Sequence, residues 1–213
     1  YLMKEYKLPI GCDVPETIIL ADGDFPSHPL ALEWLRQCPY VVCCDGAANT
    51  YIRSGRMPEA IVGDGDSLLP DIKERYASLI HSEAEQETND LSKAFRFCLS
   101  QERKRITIMG ATGKREDHTI GNVSLLADYM EQAEVSMMTD YGIFVPIRED
   151  SMFESYIGQQ ISVFNMNSTA LSAEGLAYPL SVFTNWWQGT LNEALARHFI
   201  IRTEGKVLVF RVF

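Results

Sequence analysis

The chain has 213 residues and a formal net charge of −10 at pH 7, with 46% hydrophobic and 23% charged residues. This length supports a sizeable buried core, and the composition is that of a globular protein rather than a disordered one. The acidic balance argues against a protein that wraps a nucleic-acid backbone. The sequence contains no run of 18 apolar residues, so we expect neither a transmembrane helix nor a membrane partner.

The five cysteines form no Cys-x-x-Cys pair, and their number is odd. Cysteines of this kind are typical of small apolar core residues in a reducing compartment, so we expect a cytoplasmic location. The first residues, Tyr1 to Cys12, lack the pattern of a signal peptide.

Residues 1–142 alternate short apolar runs with helical patterns, which predicts an α/β domain with a parallel sheet. The predicted strands are Thr17–Ala21, Tyr40–Cys44, Ala60–Val62, Leu79–His81, Ile106–Met109 and Glu134–Thr139. The predicted helices are Pro29–Gln37, Ala47–Ser54, Pro70–Ala77, Asp90–Gln101 and His118–Gln132.

Residues 143–213 lose the helical periodicity and consist of short β-rich pieces separated by glycine turns. The predicted strands are Met152–Tyr156, Gln160–Asn165, Ala170–Ala173, Leu180–Thr184, His198–Arg202 and Val207–Phe213. This pattern predicts a small C-terminal antiparallel β-sandwich.

The segment 61–67, Ile-Val-Gly-Asp-Gly-Asp-Ser, places an Asp-x-Asp pair directly after a short apolar strand. Ligands of open parallel sheets bind beyond the carboxyl ends of the strands. On an extended segment, Asp64 and Asp66 would point the same way and offer two oxygen ligands to one Mg²⁺. A solvated acidic turn is the alternative, because turns favour Asp and Gly.

A second acid, Asp45, follows the preceding apolar strand, Tyr40–Cys44, and stands before a predicted helix. The backbone N–H groups at the start of that helix would bind phosphate. The alternative is that Asp45 only caps the helix.

A third acid, Asp90, stands at the start of the helix that follows Gln86. We expect Asp90 to be a further metal ligand at the same sheet edge, unless Asn89 or Asp90 serves only to cap the helix. Lys93, one turn later, would either contact a phosphate or lie on the surface.

The fourth segment, 109–118, is a glycine-rich loop that follows a strand and ends in charged residues. Arg115 is the expected phosphate clamp, because a guanidinium offers forked donors. Asp117 would hold metal, orient the nucleophile or deprotonate it. His118 is either a structural residue at the helix start or a base. The spacing is not that of a P-loop, since the two glycines are too close together.

Taken together, these motifs resemble the thiamin pyrophosphokinase (thiamine diphosphokinase) family. The resemblance rests on Asp45-Gly46-Ala47-Ala48-Asn49, Gly63-Asp64-Gly65-Asp66-Ser67, Asp90-Leu91-Ser92-Lys93, and Arg115-Glu116-Asp117-His118 with Asn122, in the family's order. In the second half it rests on Gly175-Leu176-Ala177-Tyr178-Pro179-Leu180, Asn192-Glu193 and Gly205-Lys206-Val207-Leu208-Val209.

The resemblance implies transfer of the diphosphate group of ATP to the thiamine hydroxyl, with AMP as the second product. It implies an ATP- and Mg²⁺-binding α/β domain, a C-terminal β-sandwich, and a homodimer with thiamine bound between the subunits. The catalytic residues expected are Asp64, Asp66, Asp90, Arg115 and Asp117, the first three at the metal. The nucleotide contacts expected are Asp45, Gly46, Asn49, Gln86, Lys93, Arg115 and His118, and the thiamine contacts are Tyr178, Thr190 and Asn192.

The sequence departs from the family pattern at four positions, which are Asn89, Glu87, Leu191 and Tyr178. Leu191 replaces a serine, so the hydroxyl contact of that serine is either missing or moved to Thr190. Tyr178 replaces a tryptophan and is the first candidate to stack on the cationic thiazolium ring of thiamine. We expect Trp186 and Trp187 in the core of the sandwich, with a stacking role second to that of Tyr178.

Two other functions fit the acidic motifs less fully. One is a different metal-dependent transferase or hydrolase that acts on nucleotides, and the other is a non-catalytic module that senses nucleotide or thiamine. Release of AMP that depends on thiamine would distinguish diphosphate transfer to thiamine from the first alternative. Turnover that depends on Mg²⁺ would exclude the second.

Overall fold

The structure is a computed structural model and describes residues 2–213. Its α-helices are Pro29–Gln37 (α1), Ala47–Arg53 (α2), Pro70–Arg75 (α3), Asp90–Ser100 (α4) and Glu116–Tyr129 (α5). Short 3₁₀ helices span Ala77–Leu79 and Trp186–Gly189. No helix in the described part of the chain is long and apolar enough to cross a membrane.

The β-strands fall into two sheets. They are Lys4–Tyr6 (β1), Thr17–Leu20 (β2), Val41–Cys44 (β3), Ala60–Gly63 (β4), Ile80–Ser82 (β5), Arg105–Met109 (β6), Glu134–Met138 (β7), Gly142–Ile147 (β8), Ser151–Glu154 (β9), Gln160–Asn165 (β10), Leu171–Glu174 (β11), Asn192–Glu193 (β12), His198–Thr203 (β13) and Val207–Val212 (β14). The large sheet has the order β12-β10-β14-β8-β7-β6-β2-β3-β4-β5, and the small sheet has the order β1-β9-β13-β11.

The parallel half of the large sheet is buried on both faces. Along β2, Ile18 and Leu20 pack with α1 and α2, whereas Ile19 packs on the opposite face with α4 and α5. Burial on both faces explains why these strands read as continuous apolar runs. Strands β5, β4, β3, β2, β6 and β7 pair in parallel, so their carboxyl ends share one edge of the sheet.

The antiparallel half begins where β8 pairs with β7 and continues through β14, β10 and β12. Its apolar face packs against the small sheet, and Val145, Val163 and Val209 share one core with Phe153 and Phe199. The predicted class, an α/β domain followed by an antiparallel sandwich, is therefore confirmed. The large sheet is nevertheless continuous across the predicted boundary at 142/143, so the division into two domains stays a prediction.

The sequence-based assignment is wrong in two respects. The predicted strand Leu180–Thr184 is an irregular loop, held by hydrogen bonds from Asn165 to the Val182 carbonyl and from the Thr184 N–H to Gln188. Strands β1, β8 and β12 were not predicted. Strand β8 contains Pro146, which lacks the N–H that a central strand normally uses, yet the strand pairs along its whole length with β14.

Candidate active site

A cavity of about 680 Å³ opens at the carboxyl edge of the parallel strands. It is bounded by the end of β2, the loop between β6 and α5, and the starts of α4 and α5. Seven of the predicted site residues line it, namely Asp64, Gln86, Asp90, Lys93, Arg115, Asp117 and His118. Their segments lie far apart in sequence, so the parallel topology is what brings them together.

Asp45 is the buried acid of this edge. Only 4% of its surface is exposed, and its Oδ2 accepts a hydrogen bond from the Ser67 N–H at 3.2 Å. Its Oδ1 is buried without a hydrogen-bond partner among residues 2–213. Burial, reinforced by the carboxylates of Asp64 and Asp90, raises the pKa of Asp45 to about 6.

Gly63 allows these acids to approach one another. Its φ of +149° disfavours other residues, and a Cβ atom there would lie 2.9 Å from the Asp45 Cβ and 3.5 Å from the Asp90 Cγ. The glycine therefore removes the side chain that would otherwise separate Asp45 from Asp90.

The Asp-x-Asp segment forms a tight turn rather than the extended strand that was expected. Gly65 has a φ of +81°, and the Asp66 N–H donates to the Asp64 Oδ1 at 3.0 Å. This hydrogen bond is the main reason why the pKa of Asp64 is lowered. Asp66 is exposed and does not line the cavity, so its place at the metal stays a prediction.

Helix α4 presents its first residues to the cavity because another residue caps it. Asn89 accepts the Ser92 N–H at 3.0 Å and donates to Asn122 at 3.1 Å. Asp90 is therefore free of the capping role. Lys93 is 3% exposed, and its Nζ lies 3.5 Å from the Asp90 Oδ1, so the alternative of a surface lysine is wrong.

Arg115 and Asp117 form an exposed ion pair at the mouth of the cavity. The Arg115 Nη2 and Nε lie 2.6 Å and 3.1 Å from the two Asp117 oxygens. The Arg115 guanidinium holds the pKa of Asp117 below its usual value. A carboxylate of lowered pKa is a weak proton acceptor, so this geometry favours Asp117 as a group that orients Arg115 or the nucleophile.

Three predicted nucleotide contacts lie outside the cavity wall, namely Asp45, Gly46 and Asn49. The Asn49 amide donates to the Ser67 carbonyl at 2.9 Å and accepts the Leu69 N–H at 3.0 Å, which ties α2 to the turn after β4. Gly46 lies against Asp22, whose Oδ2 would be 2.5 Å from a Cβ atom at position 46. Asn49 and Gly46 therefore pack against segments that border the cavity rather than line it themselves.

The structure adds Asp22 and Lys114, which were not predicted, to the cavity wall. The Lys114 Nζ lies 3.5 Å from the Asp22 Oδ1 and donates to the Asp22 carbonyl at 3.1 Å. The Ala21-Asp22-Gly23 segment follows β2 just as Asp45-Gly46 follows β3. The same strand-end pattern could therefore have identified Asp22.

The predicted thiamine contacts lie together on the sandwich and away from this cavity. Asn192 is 5% exposed, and its amide accepts the Tyr178 N–H and donates to the Tyr178 carbonyl. Thr190 donates to the Trp187 carbonyl at 2.7 Å. Asn192 and Thr190 thus use their polar groups within the loops that present Tyr178 and Trp187.

The expectation that Trp186 and Trp187 are core residues is wrong. They are 49% and 72% exposed, and Tyr178 is 63% exposed. The short 3₁₀ helix at 186–189 packs on β10, with an edge contact between Trp186 and Phe164, which leaves about half of Trp186 and most of Trp187 in solvent.

Within residues 2–213, no group of three His, Cys, Asp or Glu side chains is arranged to hold a metal ion by itself. The acids that line the cavity, among them Asp64 and Asp90, nevertheless offer hard carboxylate oxygens, which suit Mg²⁺. The unpartnered Oδ1 of Asp45 is a further carboxylate oxygen at the same edge of the sheet. Mg²⁺ is usually held by one or two carboxylates together with substrate phosphates. The residues present fit such a shared site.

Two family models match the chain. Residues 31–138 match "Thiamin pyrophosphokinase, catalytic domain", and residues 142–210 match "Thiamin pyrophosphokinase, substrate-binding domain". Thiamine pyrophosphokinase 1 of Oryza sativa subsp. japonica is 30% identical over 129 residues, which are 49% of this chain and 49% of that protein. Thiamine pyrophosphokinase of Bacillus subtilis is 34% identical over 86 residues, 38% of this chain and 40% of that protein. The matches span about half the length of these curated relatives or less.

Two solved structures share the whole fold. The thiamin pyrophosphokinase from Candida albicans has a TM-score of 0.79 at 18% identity and covers 99% of this chain and 93% of its own. The Bacillus subtilis enzyme has a TM-score of 0.76 at 20% identity, with 92% and 98% covered. At these identities the likeness establishes the fold alone.

Proposed function

Because the chain belongs to the thiamin pyrophosphokinase family, we propose that it transfers the diphosphate group of ATP to the hydroxyl of thiamine. The thiamine hydroxyl oxygen bonds to the β-phosphorus of ATP, and the bridging bond between the α- and β-phosphates breaks. AMP leaves with the electrons of that bond, and the hydroxyl proton is released.

The observation that carries this proposal is the cavity at the carboxyl edge of the parallel sheet. It combines acids, among them Asp64 and Asp90, with the cations Lys93 and Arg115 within about 680 Å³. A polyphosphate needs both kinds of group, since cations offset its charge directly and carboxylates do so through a bound metal.

We propose that Mg²⁺ is held by Asp64 and Asp90, with Asp66 of the Asp-x-Asp turn as the third ligand. The unpartnered Oδ1 of Asp45 supports a cation at this place, because a buried carboxylate oxygen without a donor is costly. When bound, Mg²⁺ would offset the charge of the transferred diphosphate.

The other cavity residues have complementary roles in the proposal. Lys93 is buried and fixed beside Asp90, which suits a contact to a phosphate oxygen. Arg115, held by Asp117, would offset charge that develops on the transferred group. Gln86 and His118 line the same wall and would contact the nucleotide.

We place thiamine against Tyr178, with Thr190 and Asn192 shaping the loop that presents it. These residues lie on the sandwich, whereas the acids lie at the parallel edge. A homodimer would bring Tyr178 of one subunit to the phosphate cavity of the other. The exposed aromatic surface of Tyr178, Trp186 and Trp187 is typical of a surface that becomes covered on association.

A cytoplasmic location is part of the proposal and rests on cysteine chemistry. Cys43, Cys44 and Cys98 are free thiols buried in the core, as expected for a chain folded under reducing conditions.

The test is to incubate the protein with ATP, Mg²⁺ and thiamine and to identify both products by mass. The proposal requires thiamine diphosphate and AMP in equal amounts, and no AMP when thiamine is omitted. Release of ADP or phosphate would indicate a different nucleotide transferase or hydrolase. Saturable nucleotide binding without turnover would indicate a sensing module.

A further inference from the structure

A second cavity, of about 480 Å³, lies on the opposite edge of the sheet from the acidic cavity. It is covered by the N-terminal segment Glu5–Glu16 and by Trp34 of α1. Its floor contains the first residues of β6 and β7, which are the amino ends of these parallel strands. The proposed reaction uses only the carboxyl ends of the parallel strands, so this cavity has no part in it.

The floor of the cavity carries one buried cation, Arg211 of β14. In the antiparallel register Arg211 stands opposite Ile143, and both residues line the cavity together with Val145. Only 2% of the Arg211 surface is exposed. A fully buried arginine without an anionic partner is unusual, because removing its charge from water is costly.

The hydrogen-bond partners of Arg211 among residues 2–213 are neutral, and the nearby Glu154 carboxylate raises its pKa without forming an ion pair with it. Its Nη1 donates to the backbone carbonyls of Tyr6 and Glu154 at 3.2 Å and 2.8 Å, and its guanidinium lies 5.1 Å from the ring centre of Phe153. Its Nε is buried without a hydrogen-bond partner among residues 2–213. Burial lowers the pKa of Arg211 to about 10, so the guanidinium remains charged at neutral pH.

The remaining lining is suited to a small amphipathic molecule. Trp34, Ile143 and Val145 supply apolar walls, and the Thr107 and Ser136 hydroxyls, 3.0 Å apart, supply a polar pair on the floor. The volume lies within the range of small-molecule sites.

The rim of the cavity selects against highly charged ligands. Glu16 and Glu134 flank Arg105 at 3.5 Å and 4.0 Å, and further acids at the rim are Glu5 and Asp13. With Lys7 as the other cation, the rim carries more acidic than basic groups. A nucleoside triphosphate would be repelled strongly there, whereas a ligand with one anionic group is repelled less and gains the attraction of Arg211.

We propose that this cavity binds a small amphipathic anion, with its carboxylate or phosphate group on Arg211 and its apolar body against Trp34 and Val145. The anion would supply the acceptor that the Arg211 Nε lacks and would compensate a buried charge. Because the bound molecule also contacts the segment Glu5–Glu16, its binding would fix that segment against the sheet. The alternative is that Arg211 only clamps Tyr6 to the sandwich and binds nothing else.

The test uses the full chain and three probes that share a six-carbon body, namely hexanoate, hexyl phosphate and hexanol. Titration calorimetry is expected to show one saturable site for at least one of the two anions, with hexanol roughly tenfold weaker or more, since a bond to a charged group is lost. Which anion binds more tightly identifies the headgroup. Crystals soaked in 6-bromohexanoate are expected to place the bromine signal among Trp34, Ile143 and Val145.

Two variants and a control locate the binding. Arg211→Met removes the cation. Val145→Phe fills the cavity while keeping Arg211, and it tests whether the anion binds in this cavity even if Arg211→Met does not fold. Both are expected to lose the anion site. Arg148→Met removes an exposed arginine that pairs with Glu131 and is expected to bind as the wild type does.

Absence of saturable binding of either anion would overturn the proposal. Equal binding of hexanol and the anions would overturn it too, because the charge of Arg211 would then have no role. Unchanged binding in Val145→Phe would place the ligand elsewhere and have the same consequence.

Discussion

The two halves of the large sheet use their strands in opposite ways. In the parallel half, the central strands β2, β3 and β4 are buried along their whole length, and the charged candidates follow the carboxyl ends of the strands. In the antiparallel half, one face forms the sandwich core, and the exposed aromatic candidates Tyr178, Trp186 and Trp187 lie outside the strands. The parallel half therefore assembles a charged site from its own topology, whereas the sandwich presents aromatic side chains to solvent.

The largest expected effect is on the acids of the parallel edge. Asp64→Asn is expected to lower kcat by about 10²- to 10³-fold, because a metal ligand is lost while the side-chain volume is kept. The matched control, Asp128→Asn, changes an exposed acid of α5 outside the cavity and is expected to retain activity. Steady-state kinetics at saturating Mg²⁺ measure both, and near-normal turnover in Asp64→Asn would remove this residue from the metal site.

The next effect concerns the pair at the mouth of the cavity. Arg115→Met is expected to lower kcat/KM by about 100-fold, since a cation that offsets developing charge is lost. If Asp117 acts by orienting Arg115, Asp117→Asn in the Arg115→Met background should add little further loss. Additive losses in this double-mutant cycle would instead assign Asp117 an independent role.

A smaller effect is expected from the sandwich surface. Tyr178→Ala should raise the KM for thiamine by about tenfold and leave the KM for ATP unchanged, because an aromatic face for the thiazolium is lost. Tyr141→Ala removes another exposed tyrosine and serves as the control. An unchanged KM for thiamine in Tyr178→Ala would show that the ligand lies elsewhere.

The smallest expected effect concerns the junction between the parallel and antiparallel halves of the large sheet, where Asp140 follows β7. Burial would raise the pKa of Asp140, but it accepts hydrogen bonds of 2.8 Å from the N–H and hydroxyl of Ser27 and from the His28 N–H, and these hold its pKa below its usual value. The stability they contribute is present above the unfolded-state pKa and is lost as pH falls through the folded-state pKa.

Asp140→Asn is therefore expected to lower the free energy of unfolding at pH 7 by about 1 kcal/mol. The difference from wild type should be smaller at a pH of about 2, well below the ordinary aspartate pKa, because protonation of the wild-type carboxyl removes the stability that it contributes. Urea denaturation at both pH values measures this, with Asp128→Asn as the control. A difference that does not depend on pH would exclude the carboxylate charge as its source.

The comparison also explains what the sequence could predict. Helix α1 was predicted with its observed bounds because Pro29 marks its first turn locally. Asp64 was predicted because it directly follows an apolar run, and Asp90 and Asp117 were predicted because each stands near the start of a helix that follows a strand. Strand β1 was not predicted, because its three residues are defined only by pairing with β9 almost 150 positions away, with Lys4 opposite Ser151.

The sandwich was harder to predict for the same reason. Strand β8 contains a proline, which is unusual in a central strand, and it is defined by pairing with β7 and with β14 near the end of the chain. The exposure of Trp186 and Trp187 depends on how the loop before them lies on β10, which no local pattern encodes. Asp22 is the exception, since it follows the apolar strand β2 in the same way that Asp45 follows β3 and was therefore predictable from the sequence.

The continuity of the large sheet limits how the protein can be divided. A fragment that ended near residue 141 would contain all the acids of the cavity but would leave β7 without its partner β8. The exposed N–H and C=O groups of β7 would then form a template for pairing with other chains, and the fragment would aggregate. Strand β8 thus covers the edge of β7 and keeps the parallel half from pairing with other chains.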